Sequence, residues 1–164
     1  MIEIKEVNLE DIPDIQAISN IVWPITFAEI LSQEQISYMM DMMYSTESLT
    51  RQIQVENHHY ILAQKDGEFL GYLSYQNQVE NEYCKVHKIY VLPIAQGLGV
   101  GKALIDYAKQ QAMEGGDSEL RLNVNRYNKA LEFYKHIGFA ILKTEDIDIG
   151  NGFLMEDYVL QMQL

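Results

Sequence analysis

The segment from Ile89 to Leu104, IYVLPIAQGLGVGKAL, restricts the possible folds more than any other part of this chain. An apolar, β-branched run ends at Pro93, and Val100, Ala103, Leu104, Tyr107, Ala108 and Gln111 then recur at helical spacing. Between the two runs stands Gln96-Gly97-Leu98-Gly99-Val100-Gly101. A strand must therefore become a helix within a few residues, through glycines whose missing Cβ lets backbone N–H groups approach a ligand closely. The start of a helix favours an anion by roughly 0.3 to 1 kcal/mol, so such a turn suits a phosphate. Two nucleotide patterns fail here. Gln96 stands where a P-loop needs its first glycine, and Ala103 where it needs a hydroxyl for magnesium. A dinucleotide fingerprint starting at Gly97 meets Lys102 where its last glycine belongs. ATP, GTP and NAD are disfavoured, which leaves a different phosphate-bearing ligand or a turn that binds nothing.

The rest of the chain reads as an alternation around this junction. Met1 to Val7 is expected as a strand, followed by a helix with Ile12, Ile15, Ile18 and Val22 on one face and interrupted by Pro24. Two short helices are expected after Ser32 and after Ser45, both good N-caps. Tyr60 to Ala63 and Phe69 to Tyr75 flank Asp66-Gly67 as a hairpin, and a strand from about Tyr83 to Leu92 leads into the glycine turn. Gly115-Gly116 ends the helix behind that turn. Leu120 to Val124 is a further strand, and Asn128 to Ile137 a helix ended by Gly138. Two closing strands, from about Phe139 to Ile149 and from Phe153 to Met162, meet at Asn151-Gly152. This order gives an α+β fold around one central sheet, with residues 1 to 164 expected as a single domain.

Charge narrows the partners. Twenty-four acidic against twelve basic residues give a formal charge of -12. Such a surface repels nucleic acid and anionic lipid and draws in cations, although it also simply aids solubility. No long apolar run and no signal-peptide pattern is evident, and the lone cysteine, Cys84, is expected as a small buried residue, so a reducing cytoplasm is the expected setting. His58 and His59 are adjacent in an extended segment, their side chains diverge, and no metal site is expected.

Gln96, Gly99 and Gly101 after a strand match the Q/R-x-x-G-x-G/A signature, and VNRYNKALEFYKHIGF, Val124 to Phe139, carries a second block of Asn, Ala, aromatic-Tyr and Gly-Phe. In both blocks and over essentially its whole length the chain resembles the GNAT superfamily of N-acetyltransferases, closest in appearance to its polyamine acetyltransferase branch. The resemblance implies a mixed, mostly antiparallel sheet of about seven strands with about four helices, acetyl-CoA as cosubstrate, and direct attack by an amine. It also implies a cofactor site formed by Ile89, Tyr90 and Val91, by Gln96, Gly97, Leu98, Gly99, Val100, Gly101 and Lys102, and by Asn128, Ala130, Phe133 and Lys135. Tyr134 matches the tyrosine that attends the leaving thiolate, and Trp23, Phe27 and Tyr38 the acceptor-side wall, unless these aromatics are simple core.

His87 lies two residues before Ile89, hence on the same face of a regular strand, near where the family carries a glutamate base. It is the candidate base or acceptor ligand, with a structural histidine as the alternative. Glu156 and Asp157, with Asp146 and Asp148, gather near the closing hairpin, and Glu156 is taken as the acceptor contact. A small cationic amine is the expected acceptor, and pairing through the closing strands makes a homodimer the expected assembly. The other functional class open to such a chain is an acyl-CoA-binding sensor without turnover.

Overall fold

Local signals place most elements. In the computed structural model, which describes residues 1–164, strand β1 (Glu3–Glu6) leads through a single 3-10 turn into α1 (Ile12–Phe27). Ser32 and Ser45 accept hydrogen bonds from the third backbone N–H of α2 (Gln33–Tyr44) and α3 (Thr46–Gln54), satisfying donors that a helix start leaves open. Strands β2 (His59–Lys65) and β3 (Glu68–Val79) turn at Asp66 and Gly67, both with positive φ, as a tight hairpin requires. β4 (Tyr83–Val91), α4 (Val100–Glu114), β5 (Glu119–Asn125), α5 (Ala130–His136), β6 (Ala140–Gly150) and β7 (Phe153–Gln163) complete the chain.

Seven strands form one sheet in the order β1-β2-β3-β4-β5-β7-β6. Only the β4–β5 pair is parallel, which bears out the α+β, mostly antiparallel expectation, with five α-helices where about four were expected. The crossover through α4 lies on one face of the sheet, over a cluster that includes Leu73, Val86, Leu104, Ile105, Leu122 and Leu160. α1 to α3 form an arm over the other face, around Ile15, Trp23, Tyr44, Leu49, Leu62 and Tyr72. No helix is long and apolar enough to cross a membrane.

Two expectations are corrected. Pro24 does not interrupt α1, which continues to Phe27. Pro24 and Asn20, whose carbonyl loses its partner, both face solvent, while Trp23 and Phe27 are buried and hold the last turn in place. The buried face of α4 is also turned away from Ala103, Tyr107 and Gln111 toward Ile105 and Ala112. Cys84 is fully buried, as expected, and burial pushes its thiol up to about 12.

Candidate active site

β4 and β5 are hydrogen-bonded only from Tyr83–Val86 against Glu119–Leu122. Beyond that register β4 follows β3 as far as Val91, while β5 follows β7 as far as the Asn125–Asp157 pair. The two central strands thus part at their C-terminal ends, and the β4 backbone through Ile89, Tyr90 and Val91 has no strand on its β5 side. An unpaired strand edge is a ready partner for an extended ligand with amide groups. Gly71 lets β3 approach this segment. A Cβ there would stand 2.7 Å from the Tyr90 carbonyl oxygen and 3.3 Å from a Val100 methyl.

The glycine turn lies directly after this open edge. Gly97 and Gly99 have φ of +83° and +81°, which ordinary side chains disfavour. Leu98 N–H bonds to Ala95 and Ala103 N–H to Gly99, but the N–H groups of Gly97, Gly99, Val100, Gly101 and Lys102 meet no backbone acceptor. Five donors around the start of a fifteen-residue helix fit a pyrophosphate. Gly101 allows α5 to close on this turn, since a Cβ would lie 3.1 Å from the Phe133 ring. The other side chains are engaged within the chain: Lys102 Nζ pairs with Asp106 at 2.6 Å, Lys135 stands 3.9 Å from Glu132, and Asn128 Oδ1 accepts the Ala130 N–H at 2.9 Å in the turn before α5.

Tyr134 is buried, packed edge-on to Phe133 and Phe139, and its hydroxyl bonds to no protein group. Burial raises its pKa, so the phenol keeps its proton. Tyr90 reaches toward the arm, its ring centre 5.9 Å from those of Trp23 and Tyr72, and burial raises its pKa.

His87 does not share a face with Ile89. Ser74 pairs with Lys88 and Tyr75 with Val86, so His87 is the extra residue of a β-bulge. The bulge turns His87 and Lys88 toward the arm, while Val86, Ile89 and Val91 face α4. His87 stacks on His58 at 3.9 Å and its Nε2 bonds to Gln76 at 2.9 Å. Burial and the neighbouring His58 and lysines lower its pKa to about 3, leaving it neutral and packed, an arrangement that matches the structural alternative. His58 and His59 diverge as expected, with His58 half-buried against His87 and His59 exposed against Tyr75.

Sequence reasoning missed Lys88. Its ammonium is buried, bonded to Tyr60 at 2.7 Å, Gln52 at 3.0 Å and the Met43 carbonyl at 3.1 Å, and lies 4.3 Å from the Tyr44 ring centre. Burial lowers its pKa to about 7. The signal was the spacing of Cys84, Val86, Ile89 and Val91, which breaks strict alternation at the bulge.

Trp23 and Phe27 are buried in the arm, with Trp23 donating to the Tyr44 hydroxyl at 3.0 Å and packing 5.9 Å from Tyr90. Tyr38 donates to the Ile149 carbonyl at 2.6 Å and stacks edge-on to Phe153, and Gln35 donates to the Leu154 carbonyl at 2.8 Å. The arm thereby reaches the closing hairpin. A recess of about 250 Å³ lies between them, lined by Leu31, Gln35, Asn125, Phe153 and Glu156 among others. Asp157, not Glu156, is the buried acid of that pair, with the Asn123 amide 3.2 Å from its Oδ2. Asp146 pairs with Arg126, and Asp148 holds the Gly150 N–H.

A family model described as an acetyltransferase (GNAT) domain matches residues 27–161. The chain belongs to the GNAT family. This acetyltransferase is 28% identical over 160 residues to a spermidine N(1)-acetyltransferase of Thermoplasma acidophilum, covering 94% of this chain and 96% of the other. It is 26% identical over 146 residues to an uncharacterized N-acetyltransferase of Lactobacillus delbrueckii subsp. lactis, covering 85% and 84%. Its fold matches the crystal structure of PaiA N-acetyltransferase from Thermoplasma acidophilum in complex with coenzyme A, with a TM-score of 0.82, 24% identity and coverage of 100% and 99%.

Proposed function

We propose that this GNAT enzyme transfers acetyl from acetyl-CoA to a primary amine of a small cationic acceptor, with polyamines the leading class. The observation that carries this reading is the parting of β4 from β5 directly beside a glycine turn with five unengaged N–H donors. Bound there, acetyl-CoA supplies an activated acetyl group. Backbone N–H groups of Gly97 and of Gly99 to Lys102 hold the pyrophosphate, and the free edge at Ile89, Tyr90 and Val91 pairs with the pantetheine arm and offers an oxyanion donor. Ala130 and Phe133 border the nucleotide. Tyr134, kept protonated by burial, donates a hydrogen bond to the departing sulfur. Support for a cationic acceptor comes from the charge of -12 and from the likeness to a spermidine acetyltransferase. The long outer strand β6, exposed over most of its length, is the edge through which two copies would pair.

Thiol release from acetyl-CoA against polyamines, amino acids, peptides and aminoglycosides near pH 8 tests the reading. Polyamine-dependent release is expected, with Tyr134→Phe lowering kcat by roughly ten- to a hundredfold at unchanged acetyl-CoA affinity. Tight acetyl-CoA binding with no release on any acceptor would refute it.

A further inference from the structure

Four carboxylates are buried, and three of them are well supplied with donors. Asp11 takes the Lys5 ammonium at 2.7 Å and the Asn8 N–H at 3.0 Å. Asp117 takes the Asn77 amide, the Gln78 N–H and the Gln78 amide at 3.0, 3.0 and 2.6 Å. Glu119 takes Arg121 and the Gln163 amide. Asp157 is the most buried, at 3% exposure, yet it has one donor, the Asn123 amide at 3.2 Å, and no ion pair. Its remaining oxygen is not sealed, because the only fully enclosed side-chain polar atoms without a partner are His58 Nδ1 and Ser74 Oγ. A carboxylate so poorly satisfied costs stability unless a ligand completes it.

Its position identifies the ligand. Asp157 pairs with Asn125, beyond the last β4–β5 pair, and is electrostatically linked to Tyr90 on the far side of the gap. We infer that Asp157 binds the reacting ammonium of the acceptor and takes its proton. This inference rests on the acetyl-transfer reading above and replaces His87, which is held between the His58 ring and the Gln76 side chain.

The step balances simply. One ammonium proton passes to an Asp157 oxygen, and the freed nitrogen lone pair forms the C–N bond as the C–S bond breaks. A second nitrogen proton reaches the sulfur, and Asp157 returns its proton to water. Burial favours this exchange from both sides, raising a carboxylate and lowering an ammonium when the two meet away from water. The charged groups that act on Asp157 are Glu145, its partner on β6, Lys85 on β4 and Arg126 just past β5, while Asn123 on β5 donates to it. Burial is the largest influence on it and raises its pKa.

The test is the pH dependence of kcat/KM for spermidine in the wild type and in Asp157→Asn. The wild type takes the ammonium itself, so its profile should be nearly flat between about pH 7 and 9, well below the ordinary amine pKa. The variant must capture free amine. It should fall roughly a hundredfold at pH 7 and recover about tenfold per pH unit. Equal slopes in the two proteins, or a loss under about threefold, would overturn the inference. A weakly basic fluorinated amine, which needs no deprotonation, should rescue the variant, whereas a merely structural defect would persist. Calorimetry gives a readout independent of turnover. Spermidine should bind the CoA-saturated variant roughly tenfold more weakly than the wild type, with CoA affinity unchanged. If the wild type releases no thiol with any amine, the acetyl-transfer reading fails. The calorimetric comparison then decides the Asp157 contact separately, and equal spermidine affinities refute it.

Discussion

Behind the sheet, α4 and α5 close over side chains that are almost all hydrocarbon, with Leu73, Leu104, Ile105, Leu120 and Leu160 nearly or fully inaccessible. In front of it, the arm encloses two hydrogen-bonded polar clusters that meet where the Lys88 ammonium lies over the Tyr44 ring. Ser19 shares a 2.7 Å hydrogen bond with Tyr72, Tyr72 reaches Tyr44 at 2.9 Å, Trp23 donates to Tyr44, and Lys88 joins Tyr60 and Gln52. Hydrocarbon packing is non-directional and tolerates small adjustments, whereas a buried hydrogen-bond network admits few arrangements. The first suits a scaffold that presents backbone donors to an invariant cosubstrate. The second suits a wall whose shape selects an acceptor.

Paired truncations sharpen this contrast most. Leu104→Ala, behind the sheet, should cost about 2–5 kcal/mol of unfolding free energy through lost burial and the cavity left behind. Tyr72→Phe, in front, should cost about 1–3 kcal/mol because Ser19 and Tyr44 each lose a partner. Urea unfolding measures both, and equal costs with unchanged acceptor preference would erase the distinction.

The response to pH should separate the faces next. Lys88 is lowered from 10.5 to about 7 in the folded protein, so between those values the unfolded chain binds the extra proton and stability rises with pH. Tyr44, Tyr60, Tyr72 and Tyr90 on this face, and Cys84 and Tyr134 behind the sheet, are raised, so stability falls again once pH passes 9.0 to 10.0 and the unfolded thiol and tyrosines ionise, and the rise alone belongs to the arm face. Thermal or urea unfolding across this range should therefore show a maximum near the upper end of the Lys88 window. Lys88→Met should abolish the rise and keep the later fall. A variant that keeps the rise would assign it to another group.

The smallest effect is expected at the cosubstrate turn. Gly101→Ala places a Cβ 3.1 Å from the Phe133 ring, which is partly exposed and able to move. Acetyl-CoA affinity should weaken by a few-fold, about 1 kcal/mol, with acceptor preference unchanged. A change of acceptor instead would show that the two faces are not independent.

Much of this was legible from residue order. Ser32 and Ser45 capped the helices they precede, and Asp66-Gly67 and Asn151-Gly152 formed the turns expected of them, because each depends on chemistry within a few residues. Pro24 misled because a proline on the solvent face of a well-buried helix leaves only a solvated carbonyl without a partner. His87 misled because strict alternation was assumed across a bulge that depends on the register of β3. Asp157 was noticed among the hairpin acids but could not be distinguished from its less buried neighbours, since strand alternation alone does not say which face another element covers.

By itself the sequence determined the succession of elements, the caps and tight turns, and the glycine passage from strand to helix. All of these are written in local backbone preference. Only the tertiary structure decided that β4 and β5 part, that His87 faces the arm, that Lys88 is enclosed by tyrosines, and that Asp157 is buried with one donor. Those outcomes depend on groups brought together from distant parts of the chain, and their energies exist only once burial has removed the water.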